Sequence, residues 1–375
     1  MREPTIKPYR VSDLRPDSVI LGTSRAGVGY DEKHPYFSDK VVYNFSMAGA
    51  SMYMVYRTFQ HALAQGNLQG VLLDLSLVSF NEYHDLVDSS SKNPGIAVFD
   101  GEIAVHEDGS QKWFSALHRL THISRFLLSY SATKDSLATL KKQGEHDGWS
   151  LGGRGGWGGS TLRADQSQYQ RFMQLQGRIL RGFLTETSSE RKFSIYARDG
   201  SDGKSFHYLE RLLVEAQSNG IDVALVISPS HAFFYEALDY LDYEKMYRDW
   251  KRRIVNINDD VAKRLGNNPY TVWDYAFYSD LTTEPLPQRS DIGARMTWYF
   301  DPVHFKHATG DTVLDQVYLG HDGPGMQITS ENLAEKIEAQ QESRQQLLLD
   351  DSDFLQPLDR MYRRIHSRGA RQNDG

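Results

Sequence analysis

Short apolar runs bounded by turn residues alternate with longer segments of helical period along much of this chain. Ser18-Val19-Ile20-Leu21, preceded by Arg15-Pro16-Asp17, predicts a buried strand over 18–22. Further strands are predicted over 41–46 and 70–76, and the clearest is Ile221-Asp222-Val223-Ala224-Leu225-Val226-Ile227. Between them, residues from Ser51 to about Ala64 predict a helix that Gly66 ends. Phe206 to Ser218 carries Leu209, Leu212, Leu213 and Ala216 at helical spacing, with Gly220 closing it. Helices also fit 232–241 and 243–265, and Tyr270 to Trp273 reads as the last sheet strand. This alternation predicts a three-layer α/β sandwich with a mainly parallel sheet, whose functional loops lie at the carboxyl ends of its strands.

Residues 83–165 break the pattern. Val98 to Glu102 and the run Gly152-Gly153-Arg154-Gly155-Gly156-Trp157-Gly158-Gly159 read as loop or turn, with a helical stretch from about Trp113 to Tyr130 between them. The chain therefore divides into 1–82 as the first part of an α/β domain, 83–165 as an insertion, 166–320 as the second part, and 321–375 as a helix with a polar tail. The insertion suits a cap or substrate-binding lobe. Its Gly/Trp run is either a lid offering Trp157 as a sugar platform or a flexible linker. Ser330 to Leu348 reads as a surface helix, and Arg368-Gly369-Ala370-Arg371 as part of a frayed end. At the start, Met1-Arg2-Glu3-Pro4 leads almost at once to the first strand.

Charge and composition narrow the chemistry. A net charge of −7 over 375 residues argues against a nucleic-acid binder. Lys251-Arg252-Arg253 and the stretch from Arg360 to Arg371 read as solvated surface. The absence of cysteine excludes disulfides, thiolate catalysis and Cys-based metal sites. No apolar run reaches membrane-spanning length.

Two strings carry the candidate chemistry. Gly22-Thr23-Ser24-Arg25 places a hydroxyl at a strand end, followed by the small residues Ala26, Gly27 and Gly29 that suit a sharp turn or a close approach to a ligand. The order fails the dinucleotide fingerprint, the phosphate loop and the G-x-S-x-G elbow. Asp301-Pro302-Val303-His304 places an acid and an imidazole three residues apart, in a loop that Pro302 biases away from helix. Together they supply a nucleophile, a base and the acid that holds the base's tautomer. The bland alternatives are two helix caps. His304 with His307 also has metal-like spacing, but a zinc site needs further ligands, and neither a metal nor any other cofactor is expected. His231, just beyond strand 221–227, either faces the same cleft and binds substrate or begins the next helix. Asp74 is either buried support or a strand-end residue at the cleft.

On these residues the chain resembles the SGNH hydrolases, the GDSL-like esterases and acyltransferases, and especially envelope members that modify polysaccharides. The resemblance spans roughly 16–82 and 220–318. It implies Ser24 as nucleophile, His304 as general base and Asp301 as its orienting acid. The family's second block resembles Val41 to Gly49, which implies the Gly49 N–H as an oxyanion donor beside that of Ser24. Its third block reads G-x-N-D after a strand, and the chain departs from it: beyond the strand at 70–76 the first Asn is Asn81, the candidate third donor. The resemblance implies an SGNH-type fold and a serine-dependent carbohydrate-ester hydrolase or O-acetyltransferase. Its substrate would be an extracellular polysaccharide or another ester, and its partner an envelope biosynthetic complex. It also implies a periplasmic or membrane-anchored location if an anchor precedes Met1, and a cytoplasmic one otherwise. A small-ester or lipid esterase is one alternative. A catalytically silent scaffold that binds polysaccharide or assembles with a complex is the other.

Overall fold

A computed structural model describes residues 3–84, 87–90, 94–112, 166–184 and 193–373. Its centre is a six-stranded sheet in the order β2-β1-β3-β4-β5-β6. The strands are β1 (Ser18–Leu21), β2 (Val42–Asn44), β3 (Gly70–Leu75), β4 (Asp222–Ile227), β5 (Val272–Asp274) and β6 (Met326–Ile328). The first five run parallel, and β6 pairs antiparallel with β5 at the edge. A parallel sheet must be covered on both faces, and strand alternation divides the apolar residues accordingly. Val19, Leu21, Val71, Leu73, Val223 and Leu225 join one core. Ile20, Leu72 and Val226 join the other.

The described helices are α1 (Glu3–Leu14), α2 (Ser24–Gly29), α3 (Met52–Leu63), α4 (Pro94–Glu102), α5 (Gln168–Leu184), α6 (Lys204–Ser218), α7 (Ala232–Tyr240), α8 (Glu244–Leu265), α9 (His307–Leu314), α10 (Leu333–Asp350) and α11 (Gln356–Asn373). Helices α3, α6 and α8 cover the first face through Phe59, Leu209, Leu212, Trp250 and Ile254. Burying each such side chain is worth roughly 1.5–3 kcal/mol. Helices α2, α5, α7 and α9 cover the second through Ala26, Phe172, Phe233 and Val313. The result is the expected α/β/α sandwich. Helix α3 begins where Ser51 accepts a hydrogen bond from the Met54 N–H at 3.3 Å, as an N-cap should. Among the described residues no helix is long and apolar enough to cross a membrane.

Several expectations are corrected. Residues 98–102 are not loop: they end α4, which Pro94 opens and which buries Ile96 and Phe99 in the first core. The chain does not run directly into its first strand, since α1 comes before it. Tyr270 to Trp273 contributes to β5, but the last strand is β6. The C-terminal residues 368–371 are helical, within α11. Lys251 is not solvated surface either. It is 1 % exposed, and its ammonium donates to Asp274 at 2.7 Å and to the Ala276 carbonyl at 3.0 Å. The stretch from Trp113 to Tyr130, the Gly152–Gly159 run and Trp157 lie outside the described residues.

Candidate active site

The turn that carries Ser24 is built on a glycine that a larger residue could replace only with strain. Gly22 leaves β1 at φ +152°, and a Cβ there would sit 2.8 Å from that of Asp74 on the neighbouring strand. Thr23 then occupies the N-cap of α2 without making a side-chain cap bond, and Ser24 is the first helical residue. The Ser24 hydroxyl is therefore not a cap. It lies 2.9 Å from Nε2 of His304, 280 residues further along the chain.

The His304 loop is pinned by its own backbone. An isolated antiparallel bridge joins Tyr299 to Phe305, and the Phe300 N–H donates to the His304 carbonyl at 2.9 Å. Inside this loop the Asp301 carboxylate accepts from the N–H groups of Val303 and His304, each at 3.0 Å. The same carboxylate meets His304 Nδ1 at 2.8 and 2.9 Å. Asp301 thus does make the turn-capping bonds of the bland reading, and it also holds the imidazole. With Nδ1–H donating to Asp301, Nε2 is the lone-pair nitrogen that faces Ser24. The His304 side chain is 16 % exposed and that of Asp301 7 %. The pair is shielded but reachable.

Small residues bring the two strings together. A Cβ on Gly29 would fall 1.8 Å from the Phe305 ring, and one on Gly310 would fall 1.9 Å from the Gly29 carbonyl oxygen. The small residues after Ser24, expected to suit a sharp turn or a ligand, admit the His304 loop and α9 instead, with glycine on both sides of the contact. Arg25 fixes the start of α2 from below. Its guanidinium donates to the carbonyls of Ser228 (2.5 Å) and Pro229 (3.3 Å), and reaches the Ser76 hydroxyl at 3.4 Å. One buried side chain thus ties the serine turn to the carboxyl ends of β3 and β4. Asp74 lies buried beneath the same turn, near Arg25, Ser228 and the Ala26 N–H, and neither of its oxygens completes a hydrogen bond of good geometry. Burial raises its pKa, and the Arg25 charge counteracts that shift. Asp74 is buried support, not a cleft residue.

The Gly49 turn lies alongside. The Met47 N–H donates to the Gly22 carbonyl at 3.1 Å, and the turn closes with Ala50 N–H to Met47 O at 3.2 Å. Gly49 has φ +67°, which this turn position demands. Helix α1 braces it, since Glu3 accepts from the Ala48 N–H at 2.9 Å and Lys7 donates to the Ser46 carbonyl at 2.5 Å. Neither Glu3 nor Lys7 belongs to a recognised motif, and Arg25 stands in the serine string without a role read from it.

Two expected residues do other work. Asn81 follows β3, but its side-chain oxygen accepts from the N–H groups of Tyr83 (3.2 Å) and Ser194 (3.3 Å), tying down residues 193–196. No described contact brings it to Ser24. His231 is corrected from substrate-binding to structural. It is fully buried, caps α7 by accepting from the Phe233 N–H at 3.2 Å, and meets the Glu284 carbonyl at 2.8 Å through Nε2. Burial pushes its pKa down to about 4, so it stays neutral. Its backbone N–H nevertheless matters to the site, because it donates to Pro302 O at 2.9 Å and anchors the Asp301 loop. Among the described residues no three His, Asp or Glu side chains are grouped to hold a metal ion, and His307 opens α9.

No protein-family model matches the chain, and no curated protein matches it.

Proposed function

We propose that this chain is an SGNH-type serine esterase or O-acyltransferase that works on carbohydrate esters. The observation that carries the reading is the relay from Ser24 Oγ through His304 to Asp301, with links of 2.9 and 2.8 Å between residues distant in sequence. Two unrelated caps would have no reason to meet. Ser24 Oγ attacks the ester carbonyl carbon while His304 Nε2 takes its proton. Asp301 stabilises the imidazolium, and the backbone N–H groups of Ser24 and Gly49 receive the oxyanion. On collapse the leaving alkoxide takes the proton from His304, and Ser24 carries the acyl group. Water, or a sugar hydroxyl held near His304, then attacks the acyl-serine by the same proton route. Acylated polysaccharide of the cell envelope is the substrate this reading favours, drawn from the resemblance of the Ser24, Gly49 and Asp301–His304 blocks.

The test is labelling of the purified chain with a fluorophosphonate, followed by peptide mass spectrometry. We expect the adduct on Ser24 and none on Ser24→Ala, whose fold should persist because the hydroxyl contributes little packing. An unlabelled, folded wild-type chain would leave a polysaccharide-binding scaffold. Product partitioning from an activated acetyl donor, with and without acceptor oligosaccharides, separates transferase from hydrolase.

A further inference from the structure

Helix α5 crosses the loop that carries Asp301, and sequence patterning did not anticipate it. In its first turn the Gln168 carboxamide donates to the Tyr299 carbonyl at 2.8 Å and accepts from the Met296 N–H at 2.7 Å. Phe172 packs edge-on against His231, the residue whose N–H holds Pro302. From that anchored end, Arg171, Gln174, Arg178 and Arg181 follow at spacings of three, four and three, which places them along one stripe of the helix. At 1.5 Å per residue the stripe runs about 15 Å outward from the triad loop.

The charge on this stripe is unbalanced from within. The helix holds three arginines and no aspartate or glutamate, in a protein whose net charge is −7. Arg178 and Arg181 are exposed, whereas Arg171 is half-buried, and its shielded Nε donates to no acceptor. Burial lowers the Arg171 pKa, the Asp301 carboxylate opposes that shift, and Arg178 adds to it, so Arg171 stands within electrostatic range of both. Helix α11 packs on α5 at Gly177, where Met361 lies 3.3 Å from the Cβ position. A line of guanidinium groups that starts beside a triad and continues across the surface matches a chain of negative charges that passes through the site.

Resting on the esterase reading, we propose that the substrate is an acidic glycan ester, a polymer with carboxylates on its sugars, and that the α5 arginine stripe holds its anionic residues while an acyl ester enters the triad. The polymer's charges then concentrate it at the site and set its direction across the serine.

The experiment compares two oligosaccharides of equal length, both acetylated, one with a carboxylate on every sugar and one neutral. Binding is measured on full-length Ser24→Ala protein by calorimetry, and turnover on the unaltered enzyme. We expect the acidic oligosaccharide to bind about tenfold or more tightly, and its kcat/KM to fall steeply with added salt while that of the neutral one stays flat. Arg178→Glu should remove most of the preference through KM, and Arg178→Lys should keep most of it. Equal affinity for the two glycans, or a preference that survives Arg178→Glu, overturns the proposal. So does binding of single-stranded DNA or anionic vesicles at the strength of the acidic glycan. Because binding is read on the Ser24→Ala protein, failure of the esterase reading shows separately, as absence of turnover on both glycans with the charge preference intact.

Discussion

A single methyl group at position 29 should disable this site. Gly29→Ala puts a carbon into the Phe305 ring, which must move and take the adjoining His304 with it. We expect a loss of about 1–3 kcal/mol of stability from overpacking and a larger proportional fall in turnover than in folded fraction. Phe305→Leu in the same chain should restore part of both. Thermal melts and ester turnover on the two variants check this, and an inert Gly29→Ala would show that the glycine contact is not what sets the His304 position. On the proposed mechanism Ser24, Asp301 and His304 act as a unit. Asp301→Asn should lower kcat by roughly four orders of magnitude through the wrong imidazole tautomer, and His304→Ala by a comparable factor. His307→Ala should do far less, and the reverse order would reassign the base.

At the scale of elements, β5 and α8 depend on a buried ion pair. Lys251 and Asp274 are 2 % and 0 % exposed at their side chains, and each is left as a buried charge without its counter-charge if the other is removed. Lys251→Met should therefore cost about 3–5 kcal/mol, and adding Asp274→Leu should recover much of it. Urea denaturation of the single and double variants measures the coupling; additive losses would mean the two groups are independently solvated. This pair also marks what the sequence could and could not disclose. Strands β1 to β5 and the helices α3, α6, α7 and α8 were legible because their apolar period lies within one segment. Ser24, Asp301 and His304 were legible for the same reason, as short strings with local meaning. Lys251 was misread because its partner is 23 residues away, in another element. Helix α4 was hidden by its Pro, Gly and weak amphipathicity, and three-residue β6 has no signal apart from the strand it pairs with. The partners of Arg25, Gly29, Glu3 and Lys7 lie at long separations, which no spacing in one sequence encodes.

For the whole molecule, acid and neutral pH pull stability in opposite directions at different sites. His61 and His231 are buried neutral, with pKa values pushed down by burial to about 4. Unfolded, each takes up a proton near pH 6.5, so their contribution is present at neutral pH and is lost as pH falls from about 6.5 to 4. Glu32 is raised to about 7 by burial, from 4.5. The native state keeps that proton while the unfolded chain releases it, so its contribution is present below about 4.5 and is lost as pH rises to 7. Glu32→Gln should therefore steepen the gain in stability between pH 4.5 and 6.5. Urea midpoints at three pH values would show it, and an unchanged slope would rule out Glu32 as a titrating group in that range. One last consequence concerns time. The serine and its histidine are 280 residues apart, and ribosomes add about 5–20 residues per second. A nascent chain therefore displays Ser24 for roughly 15 s to 1 min before His304 has been made. On the proposed mechanism the growing chain would stay inert toward esters throughout synthesis, and would gain reactivity only when its last third is made and folded against its first.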